Sequence, residues 1–119
     1  MIFDSSFLMA VAEVPTTWFE DMVDGIGRFE PVLLDCVSQE LRRLASGKGA
    51  RSRTASVALD LSAGFHRVAC GSARVDDEII SAASTEGALV ATTDAELARA
   101  ARAVHLRVIS LRKGRVGLQ

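Results

Sequence analysis

The sequence predicts an α/β fold, a three-layer α/β/α sandwich with a central parallel sheet of about five strands. Three observations carry this. Short apolar runs alternate with segments of helical period along the whole chain, the pattern of strand–helix–strand units whose helices cover both faces of a parallel sheet. Ala88-Leu89-Val90-Ala91 is an unbroken apolar run, as expected of a strand buried on both faces. The helical segment before it stops at Gly87, the residue type that closes a helix in the left-handed conformation. With 119 residues the chain reads as one domain, 1–119, large enough to bury a core.

The elements follow in order. Met1-Ile2-Phe3 is read as the first, central strand, with Asp4 at its C-terminal end. Residues 7–12 continue as a short buried helix. Pro15 stands where a helix begins, and Trp18, Phe19, Met22, Val23 and Ile26 form a helical stripe that Gly25 and Gly27 end. That stripe suits the core or a dimer surface. Pro31-Val32-Leu33-Leu34 is the second strand. Asp35 is placed to cap a helix over 35–44, with Val37, Leu41 and Leu44 inward and Glu40 on the neighbouring face. Residues 46–53 read as a mobile basic loop, 54–63 as a helix through Val57, Leu59 and Leu61, and 65–69 as a third strand. Asp76 opens an amphipathic helix with Ile79, Ala82 and Ala83 on one face. Thr92-Thr93-Asp94 offers cap side chains to a helix marked by Leu97, Ala98, Ala101 and Val104. Residues 106–111 are the last strand, and a basic tail from about 112 is expected to fray.

Composition narrows the function. The formal net charge of −1 argues against tight, salt-driven binding to a nucleic-acid backbone, but not against a nuclease whose positive charge arrives with a metal. Tyr is absent and aromatics make up 5%, which disfavours base-stacking platforms. No apolar run approaches the ~20 residues of a membrane span, and the opening run is not a signal peptide. A cytoplasmic location is expected. Cys36 and Cys70 lack a short metal-ligand spacing and read as buried thiols of a reducing compartment.

The acids are the informative residues. Asp4 ends the first strand, Asp94 follows the fourth, Asp76 opens the helix that feeds it, and Glu40 lies in the helix after the second. In a parallel sheet these points share the edge where ligands bind. At about 4 Å and an effective dielectric of about 20, each like-charged pair costs about 4 kcal/mol, so such a cluster needs a cation or protons. Oxygen-only ligands favour Mg²⁺ or Mn²⁺, which serve phosphodiester cleavage. Bland roles compete: Asp94 as a cap, Glu40 as a solvated helix acid, Asp77 and Glu78 as balance for a helix dipole. Asp4 has least structural reason to follow a buried strand.

Ile-Phe-Asp4-Ser-Ser, Glu40-Leu41 on a helix, Asp76 before Ile-Ile-x-Ala-Ala, then Gly87 and Ala-Thr-Thr-Asp94, resemble the PIN domain family over nearly the whole chain. The resemblance implies an α/β/α sandwich around the first strand and, in many members, a Mg²⁺- or Mn²⁺-dependent ribonuclease. It implies Asp4, Glu40, Asp76 and Asp94 as the metal-binding and catalytic quartet. Asp76 stands eleven residues before Gly87, as the family's acid usually does, whereas Asp77 replaces the Ala of many toxin-branch members. That departure leaves the choice between Asp76 and Asp77 open and resembles the branch related to ribosomal RNA maturation nucleases. Ser6 and Thr92 match small hydroxyl positions that support a carboxylate or water, and Glu96 sits where a further acid sometimes occurs.

Ser46-Gly47-Lys48-Gly49 lacks the spacing of a phosphate-binding loop and follows a helix. With Arg42, Arg43, Lys48, Arg51 and Arg53 it is a candidate RNA-backbone surface. His66 and His105 are isolated. The expected function is a metal-dependent endoribonuclease acting on RNA, as the toxin of a toxin–antitoxin pair with a protein antitoxin and a homodimeric state, or in RNA processing. The alternatives are a non-catalytic PIN scaffold and a receiver-like signalling module; the latter lacks its acid pair after the first strand.

Overall fold

The computed structural model describes residues 1–14, 17–112 and 115–118. The chain runs β1 (Ile2–Phe3), α1 (Ser5–Ala12), α2 (Trp18–Ile26), β2 (Val32–Leu34), α3 (Asp35–Ala45), α4 (Ala50–Leu61), β3 (His66–Val68), α5 (Val75–Glu86), β4 (Val90–Ala91), α6 (Ala95–Ala103), β5 (Val108–Arg112) and β6 (Arg115–Leu118). The sheet order is β3-β2-β1-β4-β5-β6, with β1 to β5 parallel and β6 antiparallel to β5. The expected α/β class and parallel sheet around a central first strand are therefore present. The order differs from the 2-1-3-4-5 arrangement of receiver-type folds, which removes that alternative.

Chain direction explains the layers. From β1 the chain steps outward to β2 and β3, then returns past β1 to β4 and on to β5. Right-handed crossovers put helices on opposite faces for opposite steps. So α1 packs with α3 and α4, while α5 packs with α6. The direction of winding reverses between β1 and β4, and the crevice at their C-terminal ends is the natural ligand position of such a sheet.

Helical period selects what each helix buries: Phe7, Leu8 and Val11 on α1, Trp18 and Met22 on α2, Val37 and Leu41 on α3, Ile79 and Ala83 on α5, Leu97 and Ala101 on α6. Phe3 is fully buried at the centre, with the rings of Phe7, Trp18, Phe29 and Phe65 around it at centroid distances of 5.0–6.2 Å. The Trp18 stripe is thus largely core. Gly87 closes α5 at φ 63°, in the left-handed conformation expected of it.

Several expectations are corrected. Residues 115–118 of the basic tail do not fray; they pair with β5, from Ile109↔Leu118 to Arg112↔Arg115. Lys113 and Gly114 of that tail, and Pro15 as a helix start, lie outside the described residues. Asp35 does not cap α3; it is the first helical residue, and its carboxylate takes Arg67 Nη2 at 2.7 Å. The loop 46–53 is shorter than expected, because α4 starts at Ala50, and Ser52 Oγ donates to the Ala45 carbonyl at 2.8 Å. Helix α4 buries Ala55 and Ala58 and leaves Val57 exposed, since small side chains let it lie close to α1 and α3. Cys36 and Cys70 are a disulfide, not thiols. Their separation of 34 residues hides that both follow neighbouring strands, β2 and β3. Among the described residues no helix is long and apolar enough to cross a membrane.

Candidate active site

Asp4 stands at the reversal of winding. Its backbone N–H continues the β1–β4 pairing to the Ala91 carbonyl at 2.9 Å. It occupies the N-cap position of α1, yet its side chain bonds no helix N–H. Instead its Oδ2 accepts from Ser6 Oγ at 2.5 Å and from Thr92 Oγ1 at 2.9 Å. The residue is only 5% exposed. A buried carboxylate held by hydroxyls alone is unfavourable unless something else offsets its charge. Ser6 and Thr92 hold each other at 3.1 Å, and they accept the N–H groups of Thr93 and Asp94 at 3.1 and 3.0 Å. These hydroxyls therefore join the ends of β1 and β4 through one carboxylate.

The other three acids approach from separate elements. Glu40, a turn into α3, accepts from Ser5 Oγ at 3.2 Å. Burial raises its pKa, and the charges of Asp4 and Asp76 raise it further against the Ser5 bond and Arg43. Asp76, in the first turn of α5, is raised by burial and then by Asp4 and Asp94, with Arg74 opposing and Asp77 adding. Asp94 does cap α6: its Oδ1 accepts from Glu96 N–H at 2.8 Å and Leu97 N–H at 3.4 Å. So Asp4 acts on both Glu40 and Asp76, Asp76 acts on Glu40, and Asp94 acts on Asp76.

Asp77 and Glu96 are exposed, and Glu96 touches this network through its backbone N–H. Asp76 feels the charges of Asp4 and Asp94. Arg42, Arg43, Lys48, Arg51 and Arg53 are all exposed on α3, α4 and their connection; Arg43 lies near enough to Glu40 to act on its charge. The sequence reading passed over Ser5, although a second hydroxyl after an acid was signal enough. It also passed over Arg99 and Arg102, which line a cleft of about 270 Å³ with Thr92, Thr93, Asp94 and Ser110. Their spacing of three on one helix face was the available clue. A larger groove of about 680 Å³ runs beside α5 past Met1, Val32, His66 and Leu89 and includes none of the four acids.

The residues suit a hard divalent cation in donor chemistry: four carboxylates, with two held above their ordinary pKa in part by the others. Their coupling and their packing differ in reach. They are near enough to repel, but among the described residues no three His, Cys, Asp or Glu side chains are arranged to hold one ion. Coulombic repulsion acts over longer distances than coordination bonds, so acids can act on one another's charge without forming a closed ligand set.

A parallel sheet in the order 3-2-1-4-5, with acids gathered at its C-terminal edge, defines the class as a carboxylate-bearing α/β/α domain. The chain belongs to the PIN-like domain family, whose model, described as "PIN like domain", matches residues 1–114. Among solved structures it is similar to the PIN domain endonuclease Utp24, with a TM-score of 0.77 and 23% identity, covering 99% of this chain and 89% of that one. That likeness establishes the fold. No curated protein matches the chain.

Proposed function

We propose that this chain is a metal-dependent endoribonuclease that hydrolyses RNA phosphodiester bonds. The observation that carries the reading is the buried Asp4 carboxylate at the C-terminal ends of β1 and β4, whose charge acts on Glu40 and Asp76, with Asp94 acting on Asp76 as well. Family membership and the similarity to an endonuclease support it. Asp4, Asp76 and Asp94, completed by Glu40, would hold Mg²⁺ or Mn²⁺. Bound there, the ion supplies Lewis-acid activation of water and neutralises charge on the phosphate. Ser6 and Thr92 fix the Asp4 carboxylate, and Ser5 orients Glu40. The exposed arginines of α3 and α4 offer RNA phosphates a basic flank beside an acidic centre that would otherwise repel them.

Toxin and RNA-processing roles use the same chemistry. A toxin requires a protein antitoxin to mask the acidic edge, and a homodimer is consistent with either role. Growth arrest on expression, relieved by the product of a neighbouring small gene, would mark the toxin.

The test is Asp4→Asn against wild type on a single-stranded RNA with Mn²⁺. The substitution is expected to remove cleavage by more than the about 10–100-fold typical of lost supporting groups. Metal-free stability should be kept, because Asn can still accept from Ser6 and Thr92. Unchanged cleavage in a clean preparation would sink the assignment, and absence of cleavage in both proteins, with no metal binding, would favour a non-catalytic scaffold.

A further inference from the structure

The Cys36–Cys70 bond lies at the same edge of the sheet as the acids. Cys36 is the second residue of α3, directly after β2, and Cys70 follows β3 by two residues. The strands are neighbours, with Leu34 paired to Val68. The two Cα atoms are 5.9 Å apart, within the ordinary range for a bridged pair, and Cys36 N–H also donates to Cys70 Sγ at 3.2 Å. Glu40 lies one helical turn beyond Cys36, on the same side of α3. From Cys70 the chain crosses residues 71–74, which form neither helix nor strand, and enters α5 at Val75 with Asp76 next. The disulfide therefore joins the element carrying Glu40 to the segment that delivers Asp76.

Among the described residues, that segment is held between its ends chiefly by Glu78. Glu78 reaches back to the Ala73 N–H at 3.1 Å and packs on Gly71, where a Cβ would fall 2.9 Å from its Oε1. The Arg67–Asp35 ion pair joins the same two junctions, but it is about two-fifths exposed on each side and lies before Cys70. An exposed pair contributes little.

We infer that Cys36 and Cys70 are positioning residues for the acid site, a covalent clasp that reduction opens to release residues 71–76; this rests on the metal-site reading above. The step is a two-electron exchange with a dithiol. One reductant thiolate attacks one sulfur of the bond, forming a mixed disulfide as the S–S bond breaks and the other cysteine leaves as a thiolate, which takes up the proton the reductant thiol released. The second reductant thiol, deprotonated, attacks the reductant's own sulfur in the mixed disulfide and expels the second cysteine as a thiolate that picks up that proton, leaving two cysteine thiols and the cyclic oxidised dithiol. With the bond open, α3 stays on β2 through its buried Val37 and Leu41, whereas residues 71–74 keep the contacts of Glu78, whose N–H also donates to the Arg74 carbonyl at 2.9 Å.

The test uses wild-type protein, oxidised or treated with dithiothreitol, and the Cys70→Ser variant. Alkylation and mass count the thiols, hydrogen exchange reads residues 71–78, and calorimetry reads Mn²⁺. Two thiols are expected to appear only on reduction, with faster exchange over 71–78 and Mn²⁺ affinity lower by about tenfold, the scale of a lost positioning group. Reoxidation should restore wild type but not Cys70→Ser. Equal exchange in the two redox states, thiols that stay alkylatable after oxidation, or equal Mn²⁺ affinity alongside changed exchange would each overturn the inference. Changed exchange with no Mn²⁺ binding in either state would overturn the metal reading of the acids and leave the clasp supported.

Discussion

At the scale of single residues, the site depends on how one buried carboxylate is held. Thr92 donates to Asp4, lies beside Ser6 and accepts the Asp94 N–H, all while 1% exposed. Thr92→Val keeps the shape and removes all three links. We expect a stability loss of about 1–3 kcal/mol, because a partly buried N–H loses its acceptor and a buried carboxylate loses a donor. Denaturant unfolding checks this, and an unchanged midpoint would show that water replaces the hydroxyl. Protonation supplies a second prediction. The folded pKa values of Glu40 and Asp76 lie above their ordinary values of 4.5 and 3.8. The folded state thus prefers their protonated forms, so their contribution is most favourable below the unfolded pKa and is lost as pH rises through the raised one. Glu40→Gln should flatten the decline in thermal stability in chelator as pH rises past 4.5, the ordinary Glu value. Superimposable profiles for the two proteins would show that Glu40 is not repelled in the fold.

Elements place these residues by their ends. Helix α5 starts at the acid site with Asp76 and stops at Gly87, from which β4 returns to the same edge. Gly87 has a φ of 63° and open space around a notional Cβ. Gly87→Ala is therefore strained by its backbone and not by a clash, and should cost about 1 kcal/mol. Mn²⁺ affinity should be unchanged, since Gly87 is a helix length from Asp76; a loss of binding without loss of stability would contradict this. Helix boundaries were legible where side chains act locally. Gly87, the Asp94 cap and the i, i+4 pairs Val37–Leu41 and Ile79–Ala83 all read directly from spacing. Asp35 was misread because its partner, Arg67, is 32 residues away and becomes a neighbour only when β3 pairs with β2.

For the molecule as a whole, β1 is the axis. Phe3 is fully buried and meets rings from α1, α2 and the segments before β2 and β3. Phe3→Ala should cost about 3–5 kcal/mol, a large share of the 5–15 kcal/mol typical of a domain. Such a variant is expected to be largely unfolded at 37 °C by circular dichroism, and a cooperative transition near the wild-type midpoint would show that the neighbouring rings close the space. Losing the axis would disperse the acids as well, because Asp4 follows Phe3 directly.

The sequence by itself determined the α/β class and the run of strands and helices, because both rest on local period. It held Asp4 and Asp94 at strand ends before any fold was known. What only the tertiary structure decided was adjacency. It brought Ser5 to Glu40, Thr92 to Asp4, Asp76 to Asp4 and Asp94, and Cys36 to Cys70. It also turned residues 115–118 into a sixth strand, which the short basic run alone did not mark. The physical reason is common to all of these. Hydrogen bonds between strands, a disulfide and the repulsion of carboxylates depend on distance in space, and the crossovers of a parallel sheet join positions that lie 32 to 88 residues apart along the chain.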